Sequence, residues 1–473
     1  MERAETSRCQ LYKDRIMKNI SIEQSEINEM TENLQRFSVL VDLYFEGRAD
    51  ENMFMSELAK FEGIDWAKEN MLNQLLAYNA LAAAYGNLKS KSLSYTEAYY
   101  DNEYVYKEIT YYHNVHYVVS RVAKEQWAAL YRTAFRMWCR AYLCMANAYD
   151  HLGRFCEAQQ CYRLAAMDNM NVADVEMNQG YSYANMHAFW EEEEPWIIRK
   201  AQQLMRKYEQ RYKQTAPRLM YGIYGLVAPS FDAPQVDFSN IKNGEYEKWV
   251  NENYLRLNRF CDVEQFSQLS LQDNVKLPCI IDANERQGLL TTAFDEIKRI
   301  FIDTRKIVFD AIVRNDDVYI ELLKMSYKNL YSILDKIAVF LQAYLYLPIE
   351  VYQVDFAKIW YDKKGNLRQE FVSRRENLSL LALYNVNLDV YGSKKFGYLK
   401  DEQTKNLQRI RNFLEHKMVV VRDGEMKFDD YRLEISQNEL KISTIRLAQL
   451  VRCTIIYLCN FVIHSEYDKT HSI

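Results

Sequence analysis

The sequence predicts a mainly α-helical chain: a solenoid of helical hairpins, then a four-helix bundle carrying small β-hairpin insertions. Three observations lead there. Glycine (13) and proline (6) are scarce across 473 residues, which leaves few turn punctuators and favours long helices. Long stretches of the second half keep a helical apolar period. The first half pairs helices through small residues. At this length two or three domains are expected, with a repeat region at 1–213, a connecting segment at 214–285 and the bundle at 286–473.

The repeat region is clearest in "AYLCMANAYDHLGRFCEAQQCYRLAAMDN", residues 141–169. Ala146, Ala148 and Tyr149 lie on one helix, Leu152-Gly153 ends it, and Phe155, Ala158, Tyr162 and Ala165 lie on the next. Glycine suits a helix end because it takes the left-handed conformation cheaply. The spacing resembles the tetratricopeptide repeat, a helical hairpin that buries its apolar face only by stacking on neighbours. "LLAYNALAAAYGNLKSKSL" (75–93) and "MNQGYSYANMHAFW" (177–190) look like degenerate relatives. The tyrosines of 95–119 are expected to plug gaps between helices, the alternative being a concave surface that grips a peptide or stacks bases. His113 and His116 are spaced like a metal pair but lack acidic or cysteine companions, so no metal and no cofactor are expected. "EEEEPW" (191–196) reads as a helix start.

Pro217, Pro229 and Pro234, with Gly222 and Gly225, mark the connecting segment. Beyond it, Leu289, Leu290, Ala293, Ile297, Ile300, Ile307, Val308 and Ala311 share one face of a first long helix. A second covers 319–345 and stops before Pro348. "FAKIWYDKKGNLRQEFV" reads as a β-hairpin around Gly365, and "NLSLLALYNVNLDV" as a short helix. A third long helix spans about 400–418, with Leu407, Ile410, Phe413, Leu414 and Met418 as its buried stripe. Asp423-Gly424 then signals a hairpin. Ser436 and Glu439 form a capping box that opens the last helix.

The third helix carries "RIRNFLEHKM", residues 409–418. No histidine but His416 has arginine four to six positions before it or just beyond. A four-helix bundle with arginine, asparagine, three residues and histidine near the end of its third helix resembles the HEPN superfamily of RNA-cleaving domains. Arg411, Asn412 and His416 match that motif. The resemblance reaches back through "YEKWVNENYLRLN" (246–258) and covers about 240–465. It implies a metal-independent endoribonuclease, a toxin or antiphage abortive-infection effector, whose site is shared across a homodimer of the carboxyl-terminal domain. It also implies a repeat domain that senses a peptide or protein trigger or antidote.

The residue types suit that chemistry. Histidine titrates near neutrality and serves as a base or acid, while arginine offers a fixed cationic fork for phosphate. Residues 394–422 hold eight basic and three acidic side chains, +5 in a chain whose total is −5. Arg409, Lys405, Lys417 and Arg422 are therefore the expected RNA-binding cations. A non-catalytic adaptor or RNA-binding scaffold is the alternative. The apolar run "CTIIYLCNFVI" (453–463) is too short to span a bilayer and the start lacks an apolar signal core, so a cytoplasmic location without a membrane partner is expected.

Overall fold

In the computed structural model of the chain the described residues are 29–92, 102–120, 127–168, 172–190, 195–212, 234–281, 286–313, 318–392, 395–396, 401–424 and 426–471. They hold fifteen α-helices and one three-stranded sheet. The chain divides into two compact units: one of 1–95, 101–148 and 161–175, the other of 96–100, 149–160 and 176–473.

The first unit is helical. It contains α1 (Glu29–Phe45), α2 (Glu51–Glu62), α3 (Met71–Ser92), α4 (Glu103–Ser120) and most of α5 (Trp127–His151). Asp50 caps α2 by accepting the Met53 N–H at 2.9 Å. α3 packs against α1, α2 and α4, and its buried Ala77, Ala80, Ala82 and Ala84 leave room for that approach. Tyr106, Tyr111 and Tyr112 of α4 are buried. Tyr111 stacks on Tyr78 and Tyr85 at 6.2 and 6.0 Å between ring centres. These tyrosines fill gaps between helices. Those at 95–100 lie outside the described residues, as do Glu191–Glu194. His113 is buried, and His116 packs on the Tyr142 ring.

The second unit begins with the turn that ends α5. Gly153 has φ +71°. Its N–H donates to the Asp150 carbonyl at 3.0 Å, and the Arg154 N–H donates to that of Tyr149 at 2.9 Å. This is a Schellman cap. A Cβ at Gly153 would lie 2.2 Å from the Leu378 carbonyl oxygen, so close backbone approach demands glycine as much as the dihedral does. Most of α6 (Phe155–Ala165), most of α7 (Val172–Trp190) and α8 (Pro195–Tyr212) follow. Phe155, Tyr183, Met186, Trp196 and Phe260 form one apolar cluster. Of the connecting segment, Pro217, Pro229, Gly222 and Gly225 lie outside the described residues. Residues 234–281 are no open tether: α9 (Gly244–Glu252) and the buried Leu255, Leu257 and Cys261 fold them in.

Arg305 fixes this segment to the bundle. It is 2% exposed and donates two bonds to Asp273 (2.9 and 2.8 Å), one to the Leu255 carbonyl (2.8 Å) and one to the Tyr246 hydroxyl (3.0 Å). Burial pushes the Asp273 carboxyl up, but Arg305 and Arg256 outweigh it and hold it below its ordinary value.

The bundle contains α10 (Gln287–Val313), α11 (Val318–Leu345), α12 (Gln369–Val372), α13 (Leu378–Tyr391), α14 (Glu402–His416) and α15 (Gln437–His471). On α10, Leu290, Ile297, Val308 and Ala311 are buried as the period predicts, whereas Leu289 is 63% exposed. α11 packs on α10, α14 and α15, and α13 packs on α14 and α15. α13 thus joins the long helices in the core. α13, expected as a short helix, is buried at every position from Ser379 to Val390. The capping box holds at Ser436, whose Oγ accepts the Glu439 N–H at 3.1 Å. By length and composition α15 is apolar enough to cross a membrane, but 83% of its most apolar window is buried inside the protein, the environment of a core helix.

Both expected hairpins differ in detail. β1 (Met418–Val421), β2 (Lys427–Phe428) and β3 (Arg432–Ile435) form a sheet of order β1-β3-β2. β1 runs parallel to β3, and only β2 pairs antiparallel with it. The hairpin turn is thus at Asp429, whose Oδ1 accepts the N–H groups of Tyr431 and Arg432, not at Asp423-Gly424. Around Gly365 there is a single bridge, Tyr361 to Leu367. Asp362 accepts the N–H groups of Lys364 and Asn366 and winds the chain into a compact turn before a ladder develops.

Asp150 gives the fold a pH signature. It is 5% exposed, and its Oδ2 accepts a bond from Asn185 at 2.7 Å. Burial pushes its carboxyl up to about 6, against the pull of Ser182 and Asn185. The folded state therefore binds this proton more tightly than the unfolded one. That stabilisation is complete below the unfolded value of 3.8 and is lost as pH rises through about 6. Asp150→Asn removes the penalty. Its stability relative to the native chain is expected to be about 1–3 kcal/mol higher at pH 8 than at pH 4. Denaturation midpoints across that range check the sign, and a gap that grows toward acid contradicts it.

Candidate functional site

α14 starts where Asp401 Oδ1 accepts the Thr404 N–H at 2.9 Å. Leu407, Ile410 and Phe413 bury its inner face. The stripe stops there: Leu414 is half-buried, and Met418 is 58% exposed on β1. The reason is that the helix ends at His416 and Lys417 turns the backbone extended.

Arg411 is half-buried and points inward. Its guanidinium carbon lies 5.0 Å from the Tyr331 ring centre and 5.4 Å from that of Tyr391. Among the described residues no carboxylate lies within ion-pair distance of it. Arg411 acts electrostatically on Asp335. Burial pushes the Asp335 carboxyl up, while the Phe356 N–H (3.1 Å) and Arg411 draw it down. Burial also raises the Tyr331 and Tyr391 phenols, with Arg411 opposing. Both phenols are therefore neutral near pH 7.

Arg411 and Asn412 open onto a cleft of about 190 Å³, lined also by Tyr361, Asn387, Tyr391 and Gln408. Asn387 is 2% exposed, and among the described residues neither its Oδ1 nor the Tyr391 hydroxyl, both shut off from solvent, has a hydrogen-bond partner. Unpaired polar atoms this deeply placed are rare and call for an explanation. Sequence reasoning missed both residues. The signal was a row of polar positions, Asn385, Asn387 and Asp389, in an otherwise apolar helix. Asn385 and Asp389 lie one turn apart and both bind Arg154 Nη1, at 2.8 and 2.7 Å. Asn387 lies about 160° around the helix from each, on the cleft side.

His416 is exposed at the end of α14 and is not part of the cleft lining. On a helix it stands about 140° from Arg411. One chain thus brings Arg411 and Asn412 together and leaves His416 apart from them.

The flanking cations are more engaged than their count implied. Lys405 pairs with Glu402 at 2.6 Å, and Arg422 pairs with Glu434. Lys417 lies over the Phe413 ring at 4.8 Å. Arg409 donates to Asn406 Oδ1 at 2.8 Å and sits 4.1 Å from the Phe428 ring centre, pinning β2. Lys394 and Lys400 lie outside the described residues. Arg409→Ala is accordingly expected to lower stability by about 1 kcal/mol, through the lost ring contact and hydrogen bond. Unchanged denaturation with weaker, salt-dependent RNA binding would instead assign Arg409 to the substrate.

Residues 283–466 match the family model described as LA2681-like HEPN. The match supports a HEPN domain in this part of the chain, and with it an RNA-related role. Both the repeat region and the 246–258 segment lie outside it. No curated protein and no solved structure gives a significant match.

Proposed function

We propose that the chain is a metal-independent endoribonuclease, acting as a cytoplasmic homodimer in which Arg411 and Asn412 of one chain work with His416 of the other. The observation that carries this reading is the Arg411 guanidinium, unpaired with any carboxylate among the described residues, on the lining of a cleft. It stands on the same helix as an exposed histidine. The helical angle between Arg411 and His416 favours a second copy supplying the missing group.

In this scheme neutral His416 takes the proton of a ribose 2′-hydroxyl. That oxygen attacks the adjacent phosphorus, the bond to the 5′-oxygen breaks, and solvent protonates the leaving oxygen. Arg411 stabilises the charge that gathers on the phosphorane oxygens. The product carries a 2′,3′-cyclic phosphate. The helical hairpins of the amino-terminal half, similar in spacing to tetratricopeptide repeats, are the region proposed to hold a peptide or protein trigger or antidote. A toxin or antiphage effector fits such control.

The test is single-stranded RNA incubated with the protein in EDTA, with and without a candidate trigger. Cleavage leaving cyclic phosphate ends is expected. Intact RNA, or a strict requirement for magnesium or manganese, contradicts the proposal. The second reading, a non-catalytic adaptor, draws on the packing of Arg411 between two tyrosine rings, a contact that a purely structural arginine would also make.

A further inference from the structure

β1 is an edge strand of the small sheet. Its Met418 N–H donates to the Tyr431 carbonyl at 3.0 Å, and the Arg422 N–H donates to that of Ile435 at 3.1 Å. Those groups face β3. Alternation along the strand turns the N–H and C=O groups of Val419 and Val421 to the open side, where no strand lies among the described residues. The two edges of the sheet are unlike. β2, at the other edge, is two residues long and carries Lys427. Short length and lysine are ordinary guards against strand addition. β1 runs Met-Val-Val-Val without charge or proline, and its Met418 is 58% and its Val420 39% exposed. Such an edge can take another strand.

The flanks of β1 indicate which strand it takes. In an antiparallel pair the open-side residues of one strand must lie opposite those of the other. For two copies of β1, one symmetric register sets Val419 and Val421 against each other, with Val420 on the two-fold axis. That register also sets exposed Lys417 opposite exposed Asp423 of the second copy, at both ends. The strand is its own complement in charge as well as in backbone. We propose that β1 pairs antiparallel with β1 of a second copy in this register, joining two sheets into one. Val419 and Val421 then exchange both N–H···O bonds across the axis. His416 falls opposite Gly424 of the second copy and not opposite Arg411, so the contact is separate from the shared site and goes beyond it.

The register has a direct test. Two copies of Val420 meet as a non-hydrogen-bonded pair, with Cα atoms about 4.5 Å apart. That lies inside the roughly 4.4–6.8 Å that a disulfide spans. Val420→Cys in the full chain, treated with oxidised glutathione, is expected to give a covalent dimer on a non-reducing gel. Its yield should exceed that of Tyr352→Cys, an 83% exposed position elsewhere, by at least about tenfold. The native chain controls for its own exposed Cys279. Adding Lys417→Asp or Asp423→Lys to Val420→Cys sets like charges opposite each other and should lower the yield about fivefold; adding both should restore it. A Val420→Cys yield no better than that of Tyr352→Cys, or a double reversal as poor as either single one, would overturn the proposal. Restoration also excludes misfolding as the cause of the single losses. A chain that cross-links but cuts no RNA keeps this inference and loses the nuclease. A chain that cuts RNA but does not cross-link at Val420→Cys does the reverse.

Discussion

Arg452→Ala is expected to cost about 3–5 kcal/mol of folding stability, because it breaks a buried ion pair from one side only. Arg452 is fully buried in α15. Its guanidinium reaches Asp262 at 2.6 Å, the Asn258 carbonyl at 2.6 Å and the Arg256 carbonyl at 2.8 Å. Asp262 is 2% exposed; burial pushes its carboxyl up, and Arg452 is the strongest influence in the other direction. Truncation leaves that buried carboxyl and two carbonyls without the guanidinium that satisfied them. Adding Asp262→Leu should recover part of the loss, since the stranded charge is then gone as well. Chemical denaturation of the single and double variants measures this. A loss below about 1 kcal/mol for Arg452→Ala would mean that the cluster is hydrated or dispensable.

Arg411→Ala and His416→Ala are expected to reduce the cleavage rate by about 10²–10⁴-fold each, read in kcat rather than KM. His416→Ala should leave stability within about 0.5 kcal/mol, because the side chain is exposed at a helix end. Arg411→Ala removes the cation from between Tyr331 and Tyr391 and so loses some stability as well. The control is therefore Arg411→Lys, which keeps the charge and loses the planar fork. An adaptor would show these stability changes with no cleavage in the native chain to lose.

What the sequence made legible follows from how local each signal is. The end of α5 at Gly153, the span of α11 and the Ser436 cap are written in adjacent residues, and each appears where expected. α13 gave no period because both of its faces are buried, and a helix buried all round has no apolar stripe to read. The sheet was misread because Asp423-Gly424 is a strong local turn signal. The pairing that wins, β1 parallel to β3, joins residues fourteen apart, from Met418 to Arg432. At the candidate site, Arg411, Asn412 and His416 were singled out by their spacing on one helix, and Arg411 and Asn412 line a cleft. Asn387, Tyr391 and Tyr361 reach the same cleft from elsewhere in the chain, and only the fold brings them there.

A site shared between two copies of the chain can be restored by pairing complementary variants. Arg411→Ala and His416→Ala chains carrying different affinity tags can be co-expressed and purified as mixed dimers. If arginine and histidine come from opposite chains, each mixed dimer keeps one intact site and should cut RNA at about half the native rate, although each variant alone is inactive. Mixed dimers as inactive as their parents would contradict the shared site.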